Sequence, residues 1–290
     1  MAIQRLPYYL KKTLVLGGDV HKTKSILRAH ELHTVCESAR CPNISECFSM
    51  KRATFLIMGP SCTRQCRFCS VDKGIPAVPD SNEPHMVADA VKELGIKHVV
   101  ITSVTRDDLA DGGADHFLSV ARAVKQYNPG VTLELLTPDF KGDTNAILRL
   151  LKADFDIFNH NVETVPYLYK KVRPQADYSR SIHVLKFVKQ HKNISIKSGF
   201  MVGLGETIDQ VKDVLTDLKD TGCDIVTIGQ YLMPTLKNMP VHAYVEEDAY
   251  KEYERFGHEI GIRHVYAGPF VRSSYHAQEV MDGLAAGKLL

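Results

Sequence analysis

Six short apolar runs alternate with helical patterns from residue 54 onwards, and this alternation constrains the fold of the chain more than any other feature. The runs are rich in β-branched and aromatic residues and are bounded by polar ones, as buried strands are. They occupy residues 54–59, 98–104, 131–138, 155–163, 194–204 and 224–232. Strands that alternate with helices predict a parallel sheet, which is compatible with either an open doubly wound sheet or a partial barrel.

Two of the intervening segments have clear helical spacing, with apolar residues three or four positions apart. Between Thr207 and Gly222 these residues are Ile208, Val211, Val214, Leu215 and Leu218. Between Gly113 and Gln126 they are Phe117, Val120, Ala121 and Val124. A charged helix is predicted from about Val245. Residues before 54 show no strand alternation, so we expect an irregular segment with short helical turns.

The composition is that of an ordinary globular protein, with 290 residues, 44% hydrophobic and 24% charged. A net charge of +2 gives no basic field, so we expect no nucleic-acid partner. No apolar run is long enough for a membrane span, and Lys11 and Lys12 interrupt the N-terminal segment, which argues against a secretory signal. Seven cysteines without a signal predict the reducing cytoplasm, where clustered cysteines indicate metal or redox chemistry.

Three cysteines, Cys62, Cys66 and Cys69, directly follow the first predicted strand with the spacing C-x3-C-x2-C. Clustered thiolates are soft ligands that select zinc or iron–sulfur clusters. Zinc sites prefer C-x2-C or C-x4-C pairs with a second pair at a distance, so an iron–sulfur cluster is favoured over zinc. Four cysteines normally hold a [4Fe–4S] cluster, and three leave one iron open to another ligand. Arg64 and Arg67 in the same loop would favour thiolates.

A second set of three cysteines precedes the first strand, in the spacing C-x4-C-x5-C at Cys36, Cys41 and Cys47. These cysteines lie in a segment whose Pro, Asn and Ser residues predict a loop. Binding of a metal cluster would order such a segment. This set again supplies three thiolates and again lacks a fourth ligand.

The C-x3-C-x2-C spacing, with Phe68 before the last cysteine, resembles the signature of the radical S-adenosylmethionine (SAM) enzymes, whose open iron binds the amino and carboxylate groups of SAM. The upstream cysteines, the segment 105–116 and the C-terminal Arg272-Ser273-Ser274-Tyr275 narrow the resemblance to the lipoyl synthase family. The resemblance covers the chain from about Cys36 to His276. It implies a partial (β/α)6 TIM-type barrel with N-terminal and C-terminal extensions that close the active site.

The resemblance also implies two [4Fe–4S] clusters. The first is held by Cys62, Cys66 and Cys69 and binds SAM. The auxiliary cluster is held by Cys36, Cys41, Cys47 and a serine, which we assign to Ser274, with Ser273 as the alternative. We divide the chain into an N-terminal extension with the auxiliary cysteines (1–53), a radical SAM barrel core (54–244) and a C-terminal helix and extension with the Arg-Ser-Ser-Tyr motif (245–290).

The implied function is the insertion of two sulfur atoms at C6 and C8 of an octanoyl group on a lysine of a lipoyl carrier protein. Those C–H bonds are unactivated, so a cofactor-derived radical is needed. The resemblance makes SAM the radical source and the auxiliary cluster the sulfur donor. The expected partners are an octanoylated lipoyl carrier domain or protein and a small electron donor such as a ferredoxin or flavodoxin. The alternatives are another radical SAM enzyme with an electron-relay cluster, and a non-enzymatic zinc- or cluster-binding module.

Polar residues that follow or end the predicted strands are candidates for binding SAM, because the carboxyl ends of parallel strands meet at one edge. Glu or Asn suits the ribose, Arg or Lys suits the carboxylate, and an aromatic ring packs on adenine. The candidates are Ser103, Asn161, Glu163 and Gln230 at strand ends, Lys197 within the fifth strand, Arg173 after a helix, and Phe68 in the cysteine loop. None of the 13 histidines has a metal-ligand spacing, so we expect surface or core roles for them. We expect Cys223 to be a small buried hydrophobic residue.

Overall fold

The computed structural model of the chain describes residues 5–13, 15 and 17–274. Tyr275 of the C-terminal motif, His276 and the rest of the predicted C-terminal extension lie outside these residues. The strands of the described part are β1 (His33–Thr34), β2 (Thr54–Ile57), β3 (Ser61–Cys62), β4 (Asp72–Lys73), β5 (His98–Ser103), β6 (Thr132–Leu136), β7 (Ile157–Asn159), β8 (Ser195–Val202), β9 (Ile225–Gln230) and β10 (His264–Gly268).

The α-helices of the same residues are α1 (Gly18–Ala29), α2 (Val35–Ser38), α3 (Ile44–Ser49), α4 (Glu83–Leu94), α5 (Ala114–Tyr127), α6 (Thr144–Leu150), α7 (Tyr169–Val172), α8 (Tyr178–His191), α9 (Ile208–Asp220) and α10 (Glu247–Glu259). Short 3-10 turns occupy Tyr8–Leu10, Phe140–Gly142 and Pro166–Leu168. No helix in this part of the chain combines the length and apolar character needed to cross a bilayer.

Eight of the strands form one sheet in the order β1-β2-β5-β6-β7-β8-β9-β10. Strand β1 is antiparallel to β2, and every other neighbouring pair is parallel. All four residues of β2 are buried, as expected for a strand covered on both faces. Within the described residues, β1 and β10 remain unpaired edges, so no hydrogen-bonded ladder closes the sheet.

The predicted α/β fold of six strand–helix units is confirmed, because the six predicted strands correspond to β2 and β5–β9, and helices connect each to the next parallel strand. Helix α9 buries Val211, Val214, Leu215 and Leu218, as the spacing predicted. The prediction is wrong for Ile208, which is the first residue of the helix and is 50% exposed. A reciprocal capping box begins this helix, since the side chain of Thr207 accepts from the backbone of Gln210 and the side chain of Gln210 accepts from the backbone of Thr207.

Strand β10 was not predicted, although it extends the parallel sheet beyond β9. Its five residues, HVYAG, include a histidine and end at a Gly-Pro, so local composition gives a weak strand signal. These residues form a strand because they pair with β9, a tertiary contact that local composition does not indicate. The sheet therefore continues past the boundary proposed at residue 244, and the division of the chain into three segments remains a prediction.

The expectation of an irregular N-terminal segment is wrong for residues 18–29, which form the regular helix α1. Its buried residues Thr23, Ile26 and Leu27 are few, so the apolar pattern is weak in the sequence. The Thr23 hydroxyl donates to the carbonyl of Phe48 over 2.8 Å, which joins α1 to α3. Tertiary contact of this kind stabilises helices whose own pattern is marginal. The short helices α2 and α3 agree with the predicted helical turns.

Candidate active site

The loop with Cys62, Cys66 and Cys69 follows β2, so it lies at the carboxyl edge of the parallel sheet. All three cysteines line a cavity of about 460 Å³. The Cys62 sulfur accepts hydrogen bonds from the backbone N–H groups of Arg64 (3.4 Å) and Thr105 (3.3 Å). These bonds fix the direction of the sulfur through the backbone.

Burial raises the pKa of two of these thiols, and nearby cations oppose the increase. Burial raises the pKa of Cys66, against the charge and a hydrogen bond of Arg173. Burial likewise raises the pKa of Cys69, against the charge of Lys73. Binding of iron would supply the positive charge that holds these sulfurs as thiolates.

Arg64 fastens this loop to two others through a buried ion-pair network. The guanidinium is 2% exposed and donates to both carboxylate oxygens of Asp107 (2.7 and 3.0 Å) and of Asp139 (3.0 and 2.6 Å). Burial alone would raise the pKa of Asp139, but the hydrogen bonds and charge of Arg64 hold it well below its usual range. The guanidinium charge is thus directed at two carboxylates, and Arg64 acts on the loop mainly by holding it in place.

Backbone contacts hold the other side of the same loop. The Arg67 N–H donates to the Val172 carbonyl over 2.9 Å, and the Arg67 carbonyl accepts from the Met239 N–H over 3.0 Å. The side-chain amide of Asn238 donates to the Cys69 carbonyl over 3.0 Å. The Cys62–Cys69 loop is therefore positioned by segments that follow β7 and β9.

The second cysteine set lies on and between two short helices beside β1 and β2. Cys36 is in α2, Cys47 is in α3 and Cys41 lies between them, with its N–H donating to the Cys36 carbonyl over 3.0 Å. Together with Arg272 and Ser274 they line a second cavity of about 610 Å³. Burial raises the pKa of Cys36 to about 12 and that of Cys47 to about 11. This set of soft donors suits a metal cluster that would compensate the charge of three thiolates.

The two cavities adjoin, because Cys36, Cys41, Arg272 and Ser274 line both. A direct bond joins the two cysteine segments, since the Ser70 hydroxyl donates to the Ser38 carbonyl over 2.8 Å. In the described residues, no three His, Cys, Asp or Glu side chains are spaced to hold a single metal ion. The cysteines are instead distributed around adjoining spaces.

A glycine in β9 lets the C-terminal segment approach this junction. A Cβ atom on Gly229 would lie 2.1 Å from the carbonyl oxygen of Val271 and 2.9 Å from a guanidinium nitrogen of Arg272. Any other residue at position 229 would therefore push the segment 271–274 away from the sheet.

The two serines of the C-terminal motif have different partners. Ser274 lines both cavities, and its oxygen accepts a hydrogen bond from the Thr54 hydroxyl over 2.8 Å. Ser273 lines the 460 Å³ cavity and is hydrogen-bonded to the amide of Asn161, at 2.7 Å from its nitrogen and 2.9 Å from its oxygen. The structure thus brings Ser274 into the same cavity as all three upstream cysteines.

Of the predicted SAM-binding residues, the structure brings together all but Lys197. The residues that line the 460 Å³ cavity are Phe68, Ser103, Asn161, Glu163, Arg173 and Gln230. Lys197 lies inside β8, 1% exposed, and donates to Glu134 over 2.9 Å. Burial would raise the pKa of Glu134, but the Lys197 charge and hydrogen bonds lower it to about 2. Lys197 is therefore held in a buried ion pair, away from the other candidates.

Gln230 lines the cavity, but its side-chain amide is engaged by the protein. The amide nitrogen donates to the carbonyls of Val202 (3.3 Å) and Ala243 (3.0 Å), and the oxygen accepts from the Val245 N–H over 2.9 Å. These bonds hold the segment after β9 against the sheet. Gln230 thus contributes to the cavity wall mainly by fixing the position of the segment around residues 243–245.

Glu163 has an unusual backbone conformation at the cavity wall. Its φ of 67° lies in the left-handed region, which is strained for a long side chain and is typical of functional sites. Burial raises the pKa of Glu163, against the charge of Arg173 and a hydrogen bond from Asn161. A carboxyl, a guanidinium and an amide therefore share this part of the wall.

Four buried polar atoms of residues that line the 460 Å³ cavity have no hydrogen-bond partner among the described residues. They are Ser103 Oγ, Thr137 Oγ1, His160 Nε2 and Arg173 Nε. Buried polar atoms are normally paired, so these atoms indicate a polar ligand. Their hydroxyl, imidazole and guanidinium groups suit a ligand with charged and hydroxyl groups, as SAM has.

His160, for which the sequence predicted a surface or core role, lines the 460 Å³ cavity. Its Nδ1 lies 2.9 Å from the Thr137 carbonyl, so Nδ1 carries the proton and Nε2 presents a lone pair. Burial, assisted by the charge of Arg173, lowers the pKa of His160 to about 4 and keeps the ring neutral. Thr137 and Thr54 were missed as well. The only available signal for His160 and Thr137 was their position just after β7 and β6.

Comparison with protein families identifies two matching regions. Residues 56–231 match the family described as the Radical SAM superfamily. Residues 2–41 match the N-terminal domain of lipoyl synthase of the Radical_SAM family. The second match contains Cys36 and Cys41 of the upstream set.

Similar proteins cover nearly the whole chain. The lipoyl synthase of Caldanaerobacter subterraneus subsp. tengcongensis is 52% identical over 284 residues, which cover 98% of this chain and 99% of that protein. The lipoyl synthase of Caldicellulosiruptor saccharolyticus is 51% identical over 274 residues, with 94% and 96% covered. That of Chlorobium limicola is 50% identical over 277 residues, with 95% of each covered.

Solved structures of much lower identity share the fold. The hydrogenase maturase HydG from Carboxydothermus hydrogenoformans has a TM-score of 0.57 at 14% identity, covering 93% of this chain and 78% of that chain. Methylornithine synthase (PylB) has a TM-score of 0.54 at 15% identity, covering 89% and 84%. These matches support the α/β architecture.

Proposed function

We propose, from the premise that this chain belongs to the lipoyl synthase family of the radical SAM superfamily, that it inserts two sulfur atoms at C6 and C8 of an octanoyl group on a lysine of a lipoyl carrier protein. Membership of this family makes the chain an enzyme, a sulfurtransferase. The observation that carries the finer proposal is the junction of the two cavities, where residues of both cysteine sets and Ser274 line adjoining space.

Each cysteine set would hold one [4Fe–4S] cluster. Cys62, Cys66 and Cys69 would hold the cluster that binds SAM, with one iron left open. Cys36, Cys41, Cys47 and Ser274 would hold the auxiliary cluster. With SAM bound, the first cluster would supply the electron that releases a radical from SAM, that radical would take hydrogen from an unactivated C–H bond, and the auxiliary cluster would supply the sulfur atoms.

The 460 Å³ cavity would bind SAM through its unpaired polar groups. Arg173 suits the carboxylate, and the neighbouring Asn161 and Glu163 suit the ribose or the ammonium group. Ser103 and Thr137 offer hydroxyls, and the neutral His160 offers an acceptor at Nε2. Phe68 is placed to pack on the adenine. Lys197 and Gln230 would act through the wall that they stabilise.

The same cavity would receive the octanoyl chain. Its lining includes apolar residues that match an alkyl chain and exclude water, namely Val104, Leu136, Phe200, Met201, Leu232 and Met233. Cys36 and Ser274 border this space, so an alkyl chain there would lie next to the auxiliary site. Orientation of C6 and C8 between the two sites is the main catalytic contribution of the protein.

The partners would be an octanoylated lipoyl carrier domain or protein and a small electron donor such as a ferredoxin or flavodoxin. All seven cysteines are free, and the six of the two sets must be free to bind the two clusters. A reducing cytoplasm would keep them so.

The test is an anaerobic reaction of the reconstituted protein with SAM, a reductant and an octanoyl-lysine peptide, followed by mass spectrometry. The proposal predicts about eight irons per chain, cleavage of SAM and a peptide that gains two sulfurs. Cleavage of SAM with an unchanged peptide would contradict the proposed substrate. Absence of iron and of SAM cleavage would contradict the cluster assignments as well.

A further inference from the structure

Thr54 lies between two residues of the auxiliary site, although it is not a cysteine and belongs to no motif named above. It is the first residue of β2, pairs with Val100 of β5 and is 4% exposed. Its hydroxyl donates to Ser274 Oγ over 2.8 Å. Thr54 and Cys36 also line the same 610 Å³ cavity.

The anchoring of Thr54 and Ser274 differs. Thr54 belongs to a buried strand inside the parallel sheet, so its position is fixed by backbone pairing on β5. Ser274 lies in a turn at the end of the described residues, 220 positions away along the chain. A hydrogen bond across that separation therefore fixes a turn residue against a rigid element.

The chemistry of a serine ligand explains why the hydrogen bond between Thr54 and Ser274 would affect binding of the auxiliary cluster. An alkoxide is a harder ligand than a thiolate and is less suited to iron–sulfur chemistry. Its bond to iron therefore depends more strongly on how its oxygen is placed. A hydroxyl donor to an anionic oxygen forms a short, charge-assisted hydrogen bond that fixes the oxygen and shares its charge.

We propose that Thr54 is a positioning residue that directs the Ser274 oxygen towards the auxiliary cluster, an inference that rests on the sulfur-insertion function and serine ligation proposed above. The single hydroxyl proton of Thr54 is donated to the Ser274 oxygen. Binding of that oxygen to iron as an alkoxide would strengthen this hydrogen bond.

The test uses protein in which Cys62, Cys66 and Cys69 are alanine, so that only the auxiliary cluster is assembled. Four variants are compared in this background: Thr54→Val, which keeps the shape and removes the hydroxyl, Thr54→Ser, which restores it, Ser274→Ala and Thr221→Val. Thr221 is a matched control, because its buried hydroxyl donates to the Leu218 carbonyl over 2.7 Å and it lines neither cavity. The readouts are the Mössbauer spectrum of the cluster and the rate of iron loss to a chelator.

We expect Ser274→Ala to change the signal of one iron and to accelerate iron loss most. Thr54→Val should shift the same signal and accelerate iron loss on the order of tenfold, as loss of one hydrogen bond to a charged group predicts. Thr54→Ser and Thr221→Val should behave as the parent does. Rescue by serine would separate the hydroxyl from a general packing effect.

Three results would overturn parts of this account separately. An unchanged spectrum for Ser274→Ala would refute serine ligation, and with it the proposal for Thr54. A changed spectrum for Ser274→Ala with an unchanged one for Thr54→Val would refute only the role of Thr54. Equal acceleration in Thr54→Val and Thr221→Val would show that the effect is general destabilisation, which also refutes that role.

Discussion

The two cysteine segments, 62–69 and 36–47, are held in the protein by different means. The 62–69 segment is held by buried ion pairs, because the guanidinium of Arg64 lies almost fully buried between the carboxylates of Asp107 and Asp139. The second is held nearer the surface, where Lys12 contacts Glu46 (2.5 Å) and Asn43 (2.6 Å). The Asn43 amide in turn donates to the Phe270 carbonyl over 2.8 Å.

This difference matches the proposed roles of the two clusters. A cluster that cleaves SAM repeatedly requires a fixed loop, and buried charge pairs provide one because breaking them is costly. A cluster that is consumed must be released and rebuilt, and a segment tied by short helices and partly exposed contacts opens more easily. The 62–69 segment is thus suited to retaining its cluster through many reactions, and the 36–47 segment is suited to releasing and rebinding its cluster.

The largest expected effect comes from removing each cysteine set in turn. Alanine at Cys62, Cys66 or Cys69 should abolish SAM cleavage and sulfur insertion together, because the SAM-binding cluster is lost. Alanine at the upstream cysteines should abolish only sulfur insertion. The measurements are 5′-deoxyadenosine formation and the mass of the octanoyl-lysine peptide.

Cys223→Ala is the control for these variants, because Cys223 is buried, as expected, and lines neither cavity. It should retain both activities. Equal loss of SAM cleavage from both cysteine sets, in folded protein, would remove the division of labour between the two segments.

The next largest effect should follow from Arg64→Met, which leaves the buried Asp139 with only the partly exposed Arg180, at 3.3 Å, as a cationic partner. Removing one side of a buried ion pair costs about 3–5 kcal/mol, measured as the free energy of unfolding of the metal-free protein in urea. Arg64→Lys should recover only part of this loss, because an ammonium does not reproduce the fork geometry of the guanidinium. Arg122→Met, at an exposed position of α5, serves as the control. A loss of unfolding free energy in Arg64→Met no larger than that in Arg122→Met would show that the buried ion pairs do not hold the 62–69 loop.

Acid should loosen the same loop through Asp139. The pKa of Asp139 is lowered in the folded protein, so its stabilising contribution is present above the ordinary carboxyl pKa and is lost as the pH falls towards the lowered value. The unfolding free energy should therefore fall progressively as the pH is lowered below about 4. Glu134, whose pKa is lowered to about 2, contributes in the same direction.

Asp139→Asn isolates the contribution of Asp139 to this acid sensitivity. The variant should be less stable at neutral pH and should show a flatter pH dependence than the unaltered protein, because the substituted side chain does not titrate. Identical slopes in the two proteins would contradict the role of Asp139.

The smallest effect is expected from Lys12→Met in the second segment. The Lys12 side chain is 21% exposed, so loss of its pairing should cost up to about 1 kcal/mol. Added salt should reduce this cost, whereas the cost of Arg64→Met should persist in salt because buried charges are poorly screened. Urea unfolding at two salt concentrations measures both. A loss for Lys12→Met as large as that for Arg64→Met would remove the contrast between the two segments.

The features that the sequence predicted correctly are local ones. Runs of β-branched residues indicated six strands, and Val211, Val214, Leu215 and Leu218 indicated the buried face of α9. Features that depend on pairing were missed. Strand β10 has order because it pairs with β9, and α1 because it packs on α3.

The candidate site shows the same limit. Lys197 and Gln230 lie on strands that reach the site, but only the folded chain shows that one pairs with Glu134 and the other holds the segment after β9. The bond between Thr54 and Ser274 joins residues 220 positions apart, which no local pattern predicts. The sequence does not show which ring nitrogen of His160 contacts the Thr137 carbonyl, so it could not predict that Nε2 faces the cavity as an acceptor.

The most direct test of the central claim follows the sulfur itself. The protein is reconstituted with isotopically heavy sulfide, freed of excess sulfide, and allowed one turnover with SAM, reductant and the octanoyl-lysine peptide in light sulfide. The account predicts a peptide with two heavy sulfurs and a matching loss of heavy sulfide from the protein. A product that contains light sulfur, with the heavy sulfide of the protein retained, would contradict the auxiliary cluster as the sulfur donor.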